Sequence, residues 1–303
     1  MINLKIPSLF LTSITATLCC LSVISKPAEA STLYKDWNYA IDSFNDSITG
    51  NNVGGTKYEI YGMAFKQTAD EIFVAINTNL PLAGTSSNYA ADGHVGLGDL
   101  LFNFSGKNLS TASASKSLFG IRFVNNNDSG VSTTGIHDKV TAKSVAKDNG
   151  IALDSLSEYN AWVKQNGKTP SIGDLAANDP YFNQAIHVQN VIASGTKIGD
   201  INLLSNLSGL SLDFGHFGAN GSHTIALSFA RSLLPDGDFI LSFAPECDND
   251  IIALKGNLET IPKPVPETVP EPSSSVGLLA FAAFGGMLLK RTRQKKALNA
   301  SII

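Results

Sequence analysis

Short runs of alternating apolar and polar residues, broken by Gly, Asn, Asp and Ser, recur along most of the chain. This is the pattern of half-buried β-strands rather than of helices. Residues 58–65 and 71–77 form two such runs, and the five residues between them predict a hairpin. Runs at 100–104 and 118–124 follow, rich in aromatic and β-branched side chains. Further strands are expected at 185–193, 197–204, 210–214, 224–229, 238–243 and 250–258, with turns at Ser194-Gly195, 206–209, Asn220-Gly221 and Pro235-Asp236-Gly237. One stretch breaks the pattern. Leu156, Tyr159 and Val163 recur at helical spacing, Ser155 and Glu158 are placed as a capping box, and Gly167 and Pro170 end the run. With a second short helix expected over 172–177, residues 152–183 read as a helical insertion. Residues 31–57 read as polar and irregular, anchored by Trp37, Tyr39 and Phe44. About ten short strands at this spacing predict an all-β fold, an antiparallel, jelly-roll-like β-sandwich over residues 31–260.

The two ends differ from the body. Behind Lys5, an apolar run over residues 6–24 leads to Ala28-Glu29-Ala30. Ala28 and Ala30 fit the small-x-small rule for signal peptidase, so residues 1–30 are expected to be a signal peptide cut after Ala30. At the other end, residues 261–272 form a stiff Pro-rich linker. The apolar stretch 273–289 is at the short limit for a transmembrane helix. In the tail 290–303, Lys290, Arg291, Arg293, Lys295 and Lys296 form a basic cytoplasmic anchor, which leaves the body on the outer side of the membrane.

Charge sharpens this division. Seven of the 22 basic residues lie in the terminal segments, so residues 31–270 keep 15 basic against 24 acidic residues, a net charge of −9. An acidic body with only 16% charged residues overall excludes a nucleic-acid partner. Two of the three cysteines lie in the signal segment, leaving Cys247 alone and expected to be buried. No enzyme is expected. Gly-x-Ser-x-Gly, His-Glu-x-x-His and phosphate-loop motifs are absent, and His94, His137, His187, His216 and His223 are scattered. Glu246 and Asp248 flank Cys247 and would raise its thiol pKa, the wrong direction for a nucleophile.

Calcium is the one cofactor the sequence admits, because it takes oxygen ligands from loops. The candidate ligands are Asn127 and Asp128, in the loop 125–129, with Asp248 and Asp250. Asp236, Asp238, Asp248, Asn249 and Asp250 are expected to gather at one end of the last hairpin. Ordinary turn chemistry is the rival reading. Asn-x-Ser sequences at Asn45, Asn103, Asn108, Asn206 and Asn220 read as a consequence of composition. Tyr34, Trp37, Tyr39, Tyr89 and Trp162 are candidates for a sugar-stacking face, or else core anchors.

The tail, with Val269-Pro270-Glu271-Pro272 followed by the apolar stretch and the basic cluster, resembles the PEP-CTERM sorting signal of exosortase substrates. That resemblance implies cutting near the motif by an exosortase, a membrane transpeptidase, and transfer to the cell surface or the exopolysaccharide matrix. Residues 297–303 make this tail longer than is usual in that family. In the body, residues 37–43, 58–64, 98–104 and 118–123 resemble cyanobacterial exosortase-dependent surface proteins of the XDD type. Residues 237–250 resemble a closing hairpin common in PEP-CTERM proteins, where Gly is more usual than Asp248. The resemblance implies surface placement and no reaction. The function expected is a structural or adhesive role at the cell surface or in the extracellular matrix. The alternative is a carbohydrate-binding module, calcium-assisted, with exopolysaccharide as partner.

Overall fold

The computed structural model describes residues 31–262; the expected signal peptide, sorting motif, membrane helix and basic tail lie outside them. Its strands in chain order are β1 (Thr32–Tyr34), β2 (Trp37–Ile41), β3 (Ile48–Thr49), β4 (Asn52–Val53), β5 (Ile60–Gln67), β6 (Glu71–Thr78), β7 (Thr85–Ser86), β8 (His94–Val95) and β9 (Leu100–Asn103). There follow β10 (Leu118–Arg122), β11 (Gly135–Lys143), β12 (Val191–Gly199), β13 (Asn202–Leu203), β14 (His223–Ala230), β15 (Gly237–Phe243) and β16 (Ile252–Leu258). Helix α1 (Leu109–Ala114) lies between β9 and β10, and α2 (Leu156–Gln165) between β11 and β12. The strands form two six-stranded antiparallel sheets, ordered β1-β2-β5-β6-β14-β13 and β12-β11-β10-β9-β15-β16, with two small ribbons, β3-β4 and β7-β8. A jelly-roll order requires two Greek-key returns. Here the second sheet has one, where β15 returns to lie beside β9, while the first sheet is a meander extended by β14.

Strand alternation divides the side chains among three cores. Met63 and Phe65 of β5, Val74 and Ile76 of β6, Leu227 and Phe229 of β14, Leu100 and Phe102 of β9, and Phe239 and Leu241 of β15 share one core. Rings from the two sheets meet there: Phe65 lies 4.9 Å from Phe239 and Phe102 lies 6.3 Å from Phe229. The intervening residues point the other way, as a period of two demands. Ala64, Ala75 and Ala226 pack with Trp37, Tyr39 and Phe214 under residues 204–219. Leu101, Leu118, Val140 and Ala253 pack with Leu109, Leu156, Tyr159 and Phe182. Both outer faces are thus covered, which is why strands such as β9 are buried at every position.

The hairpin of β5 and β6 and that of β15 and β16 form as their patterns predict. Helix α2 is capped by Ser155, whose side chain accepts the Glu158 N–H at 3.3 Å. The Glu158 carboxylate reaches back to the Asp154 N–H at 2.7 Å, one residue beyond the usual capping-box partner.

Other expectations are corrected. Residues 31–57 are not irregular throughout, since β1 and β2 occupy part of them. The Trp37 indole donates to the Leu210 carbonyl at 2.8 Å and the Tyr39 hydroxyl accepts the Asp213 N–H at 2.8 Å. These two bonds hold residues 204–219 as a cover, so the strand expected at 210–214 is replaced by a loop and a 3-10 turn, Phe214–Phe217. The strands expected at 185–193 and 197–204 are instead one strand, Val191–Gly199, running through the turn expected at Ser194-Gly195, followed by the short β13. No helix forms at 172–177. Gly173 has φ +58° and lies so close to the Ala253 carbonyl that an added Cβ would stand 2.6 Å from it, so this segment docks on β16 instead. The Asn-x-Ser asparagines do turn work: Asn108 caps α1 through the Thr111 N–H, and Asn103 and Asn206 accept from Ser105 and Ser208.

Candidate functional site

A cleft of about 650 Å³ is lined by the β3–β4 ribbon, residues 86–89, residues 149–153 and Trp162 of α2. Its polar lining is mostly neutral: Asn51, Asn88, Asn149 and Asn249 amides with Thr49, Ser86 and Ser87 hydroxyls. Lys57 is the one charged residue among those lining it. Its ammonium donates to the Ser86 carbonyl at 3.2 Å and stands 5.0 Å from the centre of the Tyr58 ring. Tyr89 is 83% exposed at the cleft and is seated on Gly150. That glycine has φ +83°, and a Cβ there would lie 2.5 Å from the Tyr89 Cβ. Of the five aromatic residues proposed for sugar stacking, Trp37 and Tyr39 are core anchors and Tyr34 stacks on His216 with ring centres 3.8 Å apart. Tyr89 and Trp162 are brought together in the cleft.

Close along the chain to these lining residues is a buried acidic cluster. Asp42 follows β2, Asp46 precedes β3 and Asp250 precedes β16. Each brings a carboxylate oxygen within 4.8 Å of the others. Asp42 Oδ1 accepts the Ser43 and Gly173 N–H groups at 2.9 and 3.3 Å, and Asp46 Oδ2 accepts the Ser171 N–H at 2.7 Å. Asp250 Oδ2 accepts the Ile60 N–H at 2.6 Å, and Oδ1 accepts the Ile251 N–H at 2.8 Å. The Tyr159 hydroxyl, on α2, stands 3.0 Å from the Asp46 carbonyl and 3.4 Å from Asp250 Oδ1. Glu59 borders the cluster and binds the Asp46 N–H at 3.4 Å and the Ser47 hydroxyl at 2.7 Å. Among the described residues, no lysine, arginine or histidine forms an ion pair with these four acids. Burial, reinforced by the neighbouring carboxylates, pushes Asp46 up to about 10 and Asp250 well above the usual range. Asp42 is pushed by burial to about 7, with hydrogen bonds offsetting part of the effect. An all-oxygen set without imidazole or thiol suits a hard cation rather than zinc or copper.

The four candidate calcium ligands do not share one site, and only Asp250 belongs to this cluster. The loop 125–129 is closed around a cation of the protein's own, Arg122. Its guanidinium donates to the carbonyls of Val124 at 3.1 Å and Asn125 at 2.9 Å, to that of Val131, and to both the carbonyl and Oδ1 of Asn127. The Asn127 amide donates to Asp99 at 2.8 Å. Asp128 Oδ2 accepts from Asn149 at 2.8 Å, and its N–H is held by Glu246. Asp248 accepts from Asn190 at 2.9 Å and Ser144 at 3.3 Å. Asp236 and Asp238 bond to Arg231 and Asn257 at the end of the last hairpin where Gly237 pairs with Leu258. Asp248, Asn249 and Asp250 lie beyond the opposite end, where Phe243 pairs with Ile252, so the five strand residues 239–243 separate the two groups.

Asp42 and Asp46 were missed because nothing in their local spacing marks them; the one available signal was a pair of acids four residues apart in a Ser/Asn-rich loop. Cys247 is buried, and burial, with the charges of Asp248 and Glu246, raises its thiol well above the ordinary value. Comparison with protein-family models, curated proteins and solved structures gave no match to this chain.

Proposed function

We propose that this chain is an exported surface protein whose β-domain adheres to an extracellular polysaccharide through the cleft carrying Tyr89 and Trp162. The observation that carries this reading is the cleft itself: a concave site with two accessible aromatic side chains, ringed by neutral amides and hydroxyls. Its volume is in the range of small-ligand sites. Aromatic faces take the C–H faces of sugars, and side-chain amides and hydroxyls match ring hydroxyls as both donors and acceptors. Strongly anionic ligands are disfavoured by the acidic body, while Lys57 leaves room for a single carboxyl group on a sugar.

Routing rests on the terminal motifs: signal peptidase acting after Ala30, and an exosortase acting at Val269-Pro270-Glu271-Pro272 with Lys290, Arg291, Arg293, Lys295 and Lys296 held in the cytoplasm. Intact mass and peptide mapping of the native protein test this. A start at Ser31 with an end near Glu271 is expected, and an intact tail through Ile303 would refute the sorting step. Binding is tested on an array of neutral and uronic-acid polysaccharides. Retention is expected to fall about tenfold in Tyr89→Ala, whose ring is exposed, with unchanged thermal unfolding, and to fall likewise in Trp162→Ala, where the half-buried indole also packs on the core and some loss of stability accompanies it. Equal retention of wild type and both variants would place binding outside this cleft, and no retention by any of them would leave a structural envelope component without a glycan site.

A further inference from the structure

The oxygen-rich loop around Arg122 has its positive charge built in; the cluster of Asp42, Asp46 and Asp250 does not. Each of these acids is at least nine-tenths buried, and Asp42 and Asp46 share one design. One oxygen of each is anchored by backbone N–H groups. The second, Asp42 Oδ2 and Asp46 Oδ1, is enclosed and accepts no hydrogen bond. Such atoms are costly unless something positive meets them.

We propose that Asp42, Asp46 and Asp250 hold one calcium ion that ties β2, the approach to β3 and the entry to β16 together. The carboxylate oxygens lie within 4.8 Å of one another, which is the widest spread open to ligands sitting about 2.4 Å from a shared calcium ion. Magnesium demands a tighter octahedron and keeps several waters, which suits an enclosed carboxylate site less well. Glu59, the Tyr159 hydroxyl and the Ser171 and Gly173 N–H groups position the ligands, so the ion would also fasten α2 and the segment behind it. The site stands whether or not the cleft binds a glycan.

The test uses the full-length chain, stripped with EDTA and then titrated with calcium chloride or magnesium chloride, with thermal unfolding and calorimetric titration as readouts. One calcium ion per chain is expected. Unfolding should shift upward by about 5–10 °C at a hundredfold excess over Kd. Asp46→Asn should abolish both the heat and the shift, and Asp42→Asn serves in its place if that variant does not fold. Asp128→Asn, which alters the rival loop, should keep both. Three results would overturn the proposal. The wild type shows no response to calcium, which means the carboxyls share protons instead. Magnesium acts and calcium does not. Or Asp128→Asn loses the response while Asp46→Asn keeps it.

Discussion

Replacing Arg122 with Met tests whether a guanidinium, rather than a bound ion, organises the loop 124–131. Arg122 is 6% exposed and serves five oxygens, four of them main-chain carbonyls. Burial raises the pKa of Asp99 to about 6, and the Arg122 charge is one of the contacts, with the bonds from Ile192, Ser129 and Asn127, that keep it from rising further. Methionine fills much the same volume and supplies no donor. At about 1–3 kcal/mol for each buried acceptor left unpaired, five such losses would rival the whole stability of a domain. The loop therefore opens to water before that sum is reached, and the measured loss should be about 3–5 kcal/mol, as for other broken buried charges. For a domain of this size that is roughly 6–20 °C of unfolding temperature. Arg122→Lys keeps the charge but loses the planar fork, and should fall between wild type and Arg122→Met. The assay is thermal unfolding followed by circular dichroism, with hydrogen exchange read at 124–131. An Arg122→Met protein that melts within about 1 °C of wild type, with the loop still protected, would refute the reasoning.

Asp174 accepts the Lys255 N–H at 2.8 Å, and burial pushes it up to about 7. Its folded pKa lies above the unfolded one, so its contribution to stability is greatest below about pH 4 and is lost as pH rises towards 7. Asp174→Asn should accordingly gain on wild type in melts at pH 8 relative to melts at pH 5, and the opposite trend would contradict the assignment. Cys247 should resist iodoacetamide in the native protein and react once the chain is unfolded in guanidinium, read by intact mass; rapid native labelling would show that the thiol is accessible. Gly150→Ala should cost about 1–3 kcal/mol, from the positive φ and the close approach of Tyr89. It should also weaken polysaccharide retention by displacing that ring, so unchanged melting and retention would count against the seating of Tyr89 on Gly150.

What the sequence determined by itself was local. The β5–β6 and β15–β16 hairpins were legible because alternation and turn residues act over a few positions. The cap of α2 was legible for the same reason, since Ser155 and Glu158 are neighbours on one turn. Strand β11 was not, because its residues 135–143 are largely polar and its pairing with β12 shifts register along its length. Residues 210–214, within the cover formed by 204–219, looked like strand, and only the bonds from Trp37 and Tyr39 across the fold show why they are not. The candidate site divides in the same way. The loop 125–129 was read as a candidate calcium loop or else ordinary turn chemistry; in the structure oxygens of Asn125 and Asn127 meet Arg122, which emerges from β10 beneath them. Of the acidic cluster only Asp250 was named, because Asp42 and Asp46 meet it through the packing of elements from opposite ends of the domain. Short-range pattern specifies backbone pairing and caps. A site made of side chains from distant segments exists only after the sheets have packed and set their register, and that is decided by the tertiary structure.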